Sequence, residues 1–116
     1  MGQNLDMDAY QGRARGTALP SAQSLDYLIP GLAAEAGEVA GVYAKAVRDN
    51  DGFLSDSDKG INYADKIRKE LGDVLWFVAM IAHELDTNLG DIAQMNLDKL
   101  AARKERGTLQ GSGDDR

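Results

Sequence analysis

The stretch NYADKIRKELGDVLWFVAMIAHELD, residues 62–86, constrains the fold more than any other part of the chain. At about 100° per residue, its Ile67, Leu71, Val74, Val78, Ile81 and Leu85 gather on one stripe, which is expected to be core. Trp76, Phe77, Ala79 and Met80 make the middle of the helix apolar on every side. Protein should therefore cover both of its faces, and a partner subunit would supply the second cover. Trp76, inside that run, is read as core or interface rather than as a platform for a base.

The rest of the chain agrees with an all-α fold. Two prolines and few β-branched runs leave little for strands. A first helix is expected over about residues 5–16, with Asn4 as its N-cap and Gly16 near its end, followed by a short turn containing Pro20. A second helical stretch runs from about Ser24 to Arg48, with Pro30 in the first turn of its main part or at a kink. RDNDGFLSDSDKG reads as a polar, turn-rich loop. Thr87 or Asn88 caps a fourth helix that reaches about Arg106.

At 116 residues, 43% apolar and 28% charged, the chain fits one domain over residues 1–116, and small helical chains often gain further burial by self-association. The absence of cysteine removes disulfides, thiolate zinc sites and cysteine nucleophiles. There is no apolar run of about 18 residues, and MGQNLDMDAYQGRARG lacks a secretory signal's apolar core, so a soluble cytoplasmic protein without membrane contact is expected. A formal charge of −6 disfavours a nucleic acid polymer as partner. It permits a small phosphorylated ligand held through a divalent cation.

EAGEV at residues 35–39 recurs as ELGDV at residues 70–74. Residues three apart share a helix face, so Glu35 points with Glu38, and Glu70 with Asp73. The apolar flanks match too: Leu32, Val39, Tyr43 and Ala46 around the first pair, Ile67, Val74, Val78 and Ile81 around the second. If these stripes pack in antiparallel helices, four carboxylates meet at one seam. Their repulsion and lost solvation would cost several kcal/mol unless they are protonated or paired. A hard cation resolves this, Mg²⁺ foremost and Mn²⁺ as a substitute. Gly37 and Gly72, mid-helix, suggest close approach of backbone or ligand. Either acidic pair alone would equally suit a solvated helix face.

GLAAEAGEVA and KELGDVLWFVAMIA, with their E-x-x-E and E-x-x-D pairs, resemble the MazG-like, all-α nucleoside triphosphate pyrophosphohydrolases. NLDKLAARKERG is similar to that family's segment with Asn, Lys and Arg at helical spacing, here Asn96, Lys99 and Arg103. YQGRARGTA resembles its first helix, and GTLQGSGDDR the glycine-rich ending of short phage and bacterial members. Two features depart from the pattern: Ala34 stands where a further glutamate is common, and residues 39–69 make a linker at or beyond the usual length.

The resemblance implies a four- to five-helix bundle assembling as a homodimer or homotetramer. It implies hydrolysis of a (deoxy)nucleoside triphosphate between its α and β phosphates, with Glu35, Glu38, Glu70 and Asp73 as metal ligands. Glu38 is the candidate for taking the proton of the attacking water. Lys99, Arg103 and Arg116 would meet phosphate, Asn96 would add a metal or phosphate contact, and Gln11 and Thr17 would lie by the base. The tail, residues 107–116, either closes over phosphates through backbone N–H groups or frays. Lone His83 has no E-x-x-H partner, which argues against a di-iron bundle. Two rival readings remain: a pyrophosphatase specialised for one nucleotide such as dUTP or dCTP, and a non-catalytic helical adaptor that dimerises through its central helix.

Overall fold

The computed structural model describes residues 4–107. Four helices follow one another: α1 Met7–Arg15, α2 Leu25–Asn50, α3 Tyr63–Glu84 and α4 Leu89–Arg106, with a 3₁₀ turn at Pro20–Ala22. α1 starts later than expected because Asp6, not Asn4, caps it, its carboxylate accepting the Ala9 N–H at 2.7 Å. Asn62 and Asn88 cap α3 and α4 in the same way, accepting the amides of Asp65 and Asp91. Pro30 lies inside α2 rather than in its first turn. The loop after α2 contains a two-stranded antiparallel hairpin, β1 Ser55–Asp56 with β2 Ile61–Asn62, which the composition did not suggest. No described helix is long and apolar enough to cross a membrane.

α2 and α3 share the most extensive contact and run antiparallel: Gly31 lies against Phe77, Glu35 beside Glu70 and Asp73, and Arg48 near Tyr63. The core centres on Leu28 of α2, Phe77, Ala79, Met80 and Ala82 of α3, Ala14 of α1 and Leu89 of α4. Phe77 meets Trp76 edge-on at 5.0 Å and stacks with Tyr27 at 6.0 Å. This corrects the expected core stripe of α3. Leu71 and Leu85 are 51% and 58% exposed, whereas Phe77 and Met80 are buried. A helix apolar on every side does not reveal which side its own chain covers.

α1 braces the turn between α3 and α4. Buried Gln11 donates from Nε2 to the Thr87 carbonyl at 3.0 Å and accepts the Leu89 N–H on Oε1 at 2.8 Å, while Asp8 accepts the Gly90 N–H at 2.8 Å. Gln11→Ala should leave a buried donor and acceptor unsatisfied, at a cost of about 1–3 kcal/mol. A thermal melt should show a midpoint several degrees lower, and an unchanged midpoint would deny Gln11 this role.

Several large apolar side chains lie exposed: Tyr27, Ile29, Tyr43 and Val47 on α2, with Met95 and Leu97 on α4.

Candidate active site

Three carboxylates meet across the α2–α3 seam. Glu35, Glu70 and Asp73 each present an oxygen within 4.8 Å of the others, Glu35 and Glu70 half-buried and Asp73 exposed. The antiparallel register sets this meeting, and the i, i+3 spacing of Glu70 and Asp73 makes both available to one residue of α2. Glu38, one turn beyond Glu35, is exposed and lies outside the close trio, although its charge acts on Glu35. The seam thus gathers three of the four acids and leaves the fourth at its edge.

Desolvation raises the Glu35 carboxyl above the ordinary carboxylate range, and the charges of Asp73, Glu70 and Glu38 and a hydrogen bond with Glu70 add to the effect. The Glu35 carboxyl therefore resists ionisation, and a divalent cation held by the three carboxylates would supply the missing charge. Oxygen-only donors in this number fit Mg²⁺ or Mn²⁺.

The pH dependence follows in sign. A carboxyl whose folded pKa is raised binds more protons folded than unfolded, so its ionisation opposes folding as pH rises through the window above the ordinary carboxylate value. In metal-free buffer, Glu35→Gln should melt at or near the wild-type midpoint at acidic pH and above it at neutral pH. A gap that is constant or reversed in direction would contradict the strain assigned to Glu35.

Gly37 and Gly72 do not serve close backbone approach, as a Cβ at either would meet nothing within 4 Å. Each Gly→Ala change should stabilise the isolated fold by about 0.5–1 kcal/mol, read as a raised denaturation midpoint.

The remaining candidates are dispersed. Asn96 and Lys99 share one face of α4 with Ile92 and Met95, lining an open cleft of about 240 Å³. Arg103 is 3% exposed. Arg116 and the rest of the glycine-rich tail beyond Gly107 lie outside the described residues. Gln11 faces the α3–α4 turn, both ends of its amide engaged there. Thr17 lines a second cavity, of about 320 Å³, with Leu5, Tyr10, Arg13 and Ala14.

Trp76 is half-buried rather than sealed in the core, and its indole N–H donates to Thr17 Oγ1 at 2.8 Å. Tyr10 was not singled out by the sequence, yet burial and then the nearby Asp73 charge raise its phenol pKa. The spacing of Tyr10, Arg13 and Ala14 along one helix face, with Thr17 in the turn that follows, was the available signal.

Fold and site together define an all-α protein whose central helix pair holds a cation-competent acidic seam. The chain belongs to the MazG nucleotide pyrophosphohydrolase domain family, whose model matches residues 23–108. It is 41% identical over 119 residues to the Gene 37 protein of Mycobacterium phage L5, with 97% of this chain and 100% of that protein covered. No solved structure is significantly similar.

Proposed function

We propose that the protein hydrolyses nucleoside triphosphates between the α and β phosphates, giving a monophosphate and pyrophosphate. The observation that carries this reading is the trio of Glu35, Glu70 and Asp73, converging from two helices with Glu35 resisting ionisation. Membership of the MazG family supports the nucleotide as substrate.

Glu35, Glu70 and Asp73 would hold the divalent cation, Mg²⁺ or Mn²⁺. When bound, the cation supplies charge neutralisation for the triphosphate and lowers the pKa of water. Glu38, exposed and outside the trio, is assigned the proton of the attacking water because a carboxylate not engaged in ligation is free to take it. The water oxygen bonds to a phosphorus of the α–β bridge, its proton passes to Glu38, and the bridging oxygen leaves with the electron pair of the broken bond. Asn96, Lys99 and Arg103 on α4 are assigned to the phosphates on the strength of the family-like segment that contains them, and positive charge there suits the leaving pyrophosphate.

The exposed apolar residues of α2 and α4 support a homo-oligomer. Sedimentation should give a mass at least twice 12.5 kDa. A monomer at micromolar concentration would overturn that part of the proposal.

The reaction itself is tested by incubating the protein with ribo- and deoxyribonucleoside triphosphates and Mg²⁺, then resolving the products. Monophosphate with pyrophosphate is expected. Diphosphate with orthophosphate would place cleavage at the other bridge, and no product with any nucleotide would favour a non-catalytic role.

A further inference from the structure

Trp76 stands beside both helices that carry the acidic trio. It follows Asp73 by one turn on α3 and is the chain's single tryptophan. Its ring meets Phe77 edge-on at 5.0 Å, and Phe77 is seated on the α2 backbone at Gly31, one turn before Glu35. Packing against Phe77 would be served by any aromatic ring. The indole adds a donor, and that donor leaves the α2–α3 seam for α1.

The indole N–H donates to Thr17 Oγ1 at 2.8 Å, joining residues 59 positions apart. The Thr17 hydroxyl donates to the Ala14 carbonyl at 2.7 Å, and the Thr17 amide donates to the same oxygen at 2.9 Å. Every direction in this relay is fixed. An indole nitrogen only donates, so the Thr17 oxygen accepts from it, and the one hydroxyl hydrogen is left for a carbonyl that only accepts. Ala14 belongs to the last turn of α1, whose carbonyls find no partner within their own helix. The first turns of α1 are fastened elsewhere, by Asp8 and Gln11 to the start of α4.

α1 also runs beside Asp73. Tyr10, one turn before Ala14, packs on the core, and the Asp73 charge reaches its phenol. Of the three clustered carboxylates Asp73 is the exposed one, whereas Glu35 and Glu70 are half-buried. A carboxylate holds a cation more strongly where protein rather than water lies alongside, because the local dielectric is lower. For Asp73 that protein is α1.

Resting on the proposed cation at Glu35, Glu70 and Asp73, we infer that Trp76 is a positioning residue for it: the N–H, relayed through Thr17 to Ala14, holds the last turn of α1 against α3 and so keeps α1 as a wall beside Asp73. Trp76 itself touches neither cation nor substrate. Its contribution is the donor, and a phenylalanine at the same place would pack without making it.

The test is calorimetric titration of the nucleotide-free protein with Mn²⁺, so that no contact between Thr17 and a base enters the result. Trp76→Phe keeps a ring against Phe77 and removes the N–H. Thr17→Val removes the hydroxyl at an exposed position, and Thr17→Ser restores it. The Mn²⁺ dissociation constant should rise on the order of tenfold in Trp76→Phe and in Thr17→Val, the lower end of what loss of groups supporting a metal ligand costs. It should return close to the wild-type value in Thr17→Ser. The double variant Trp76→Phe/Thr17→Val should be no weaker than either single one, since both cut the same relay. Tryptophan emission, which comes from Trp76 alone, should shift in Thr17→Val and coincide with wild type in Thr17→Ser.

Wild-type affinity in folded Trp76→Phe or Thr17→Val would overturn the inference while leaving the cation site standing. A loss that Thr17→Ser does not restore would assign the effect to packing, and additive losses in the double variant would show two separate contacts; either result would overturn the relay. No Mn²⁺ bound by the wild type would remove the proposed cation, and this inference with it.

Discussion

Asp73→Asn is expected to reduce Mg²⁺-dependent pyrophosphate release on the order of a hundredfold or more while leaving the fold intact. The substitution keeps the size of the side chain and removes one anionic oxygen donor from a trio whose donors lie within 4.8 Å of one another. Losing a group that stabilises charge at the reacting centre commonly costs a factor of about 10²–10³. The stability consequence runs the other way: Asp73 is the foremost charge acting against ionised Glu35, so the metal-free variant should melt at or above the wild-type midpoint at neutral pH. Addition of Mg²⁺ should then raise that midpoint less than it raises the wild type's, because a ligand stabilises only the state that binds it. Activity within a few fold of wild type would remove Asp73 from the site, and a melting point well below wild type would assign it to the fold.

Phe77→Ala should be the most damaging single change to stability. Phe77 is 8% exposed, lies edge-on to Trp76, stacks with Tyr27 and packs on the backbone of α2 at Gly31. Truncating a buried phenylalanine costs about 3–5 kcal/mol, a large share of the roughly 5–15 kcal/mol that holds a domain together. Denaturant titration should show the loss directly, and the thermal midpoint should fall by about 10 °C or more.

The same contact can be attacked from the other side. A methyl added at Gly31 would overlap the Phe77 ring, so Gly31→Ala should cost about 1–3 kcal/mol through overpacking. Pairing Gly31→Ala with the smaller Phe77→Leu should recover part of that cost, a coupling that a double-mutant cycle measures. Purely additive losses would show that the two positions do not share this contact. Gly31 lies one turn before Glu35, so the seam's packing also bears on the spacing of the acidic trio.

Much of this site could be read before any fold was known, because its signals are local. Glu35 with Glu38 and Glu70 with Asp73 share helix faces by spacing alone, and Asn62 and Asn88 are good caps wherever their helices pack. Other features were not legible. Leu71 and Val78 fit the same apolar stripe, yet Leu71 is half exposed and Val78 packs against the core. The tie that Gln11 makes between α1 and the α3–α4 turn left no trace in the sequence, because an amide finds partners through nonlocal packing that spacing does not encode. Gly31 carried no signal, since what makes it necessary is a ring from another helix.

Hydrophobic period, caps and breakers are properties of neighbouring residues, so the sequence by itself determined four helices, their approximate ends and the acidic faces they carry. Which faces meet is set by contacts between residues far apart in the chain. Only the tertiary structure placed Glu35 with Glu70 and Asp73 while leaving Glu38 at the edge, and joined Trp76, one turn from Asp73, to Thr17. The antiparallel register of α2 on α3, with Phe77 seated at Gly31, joins those distant residues.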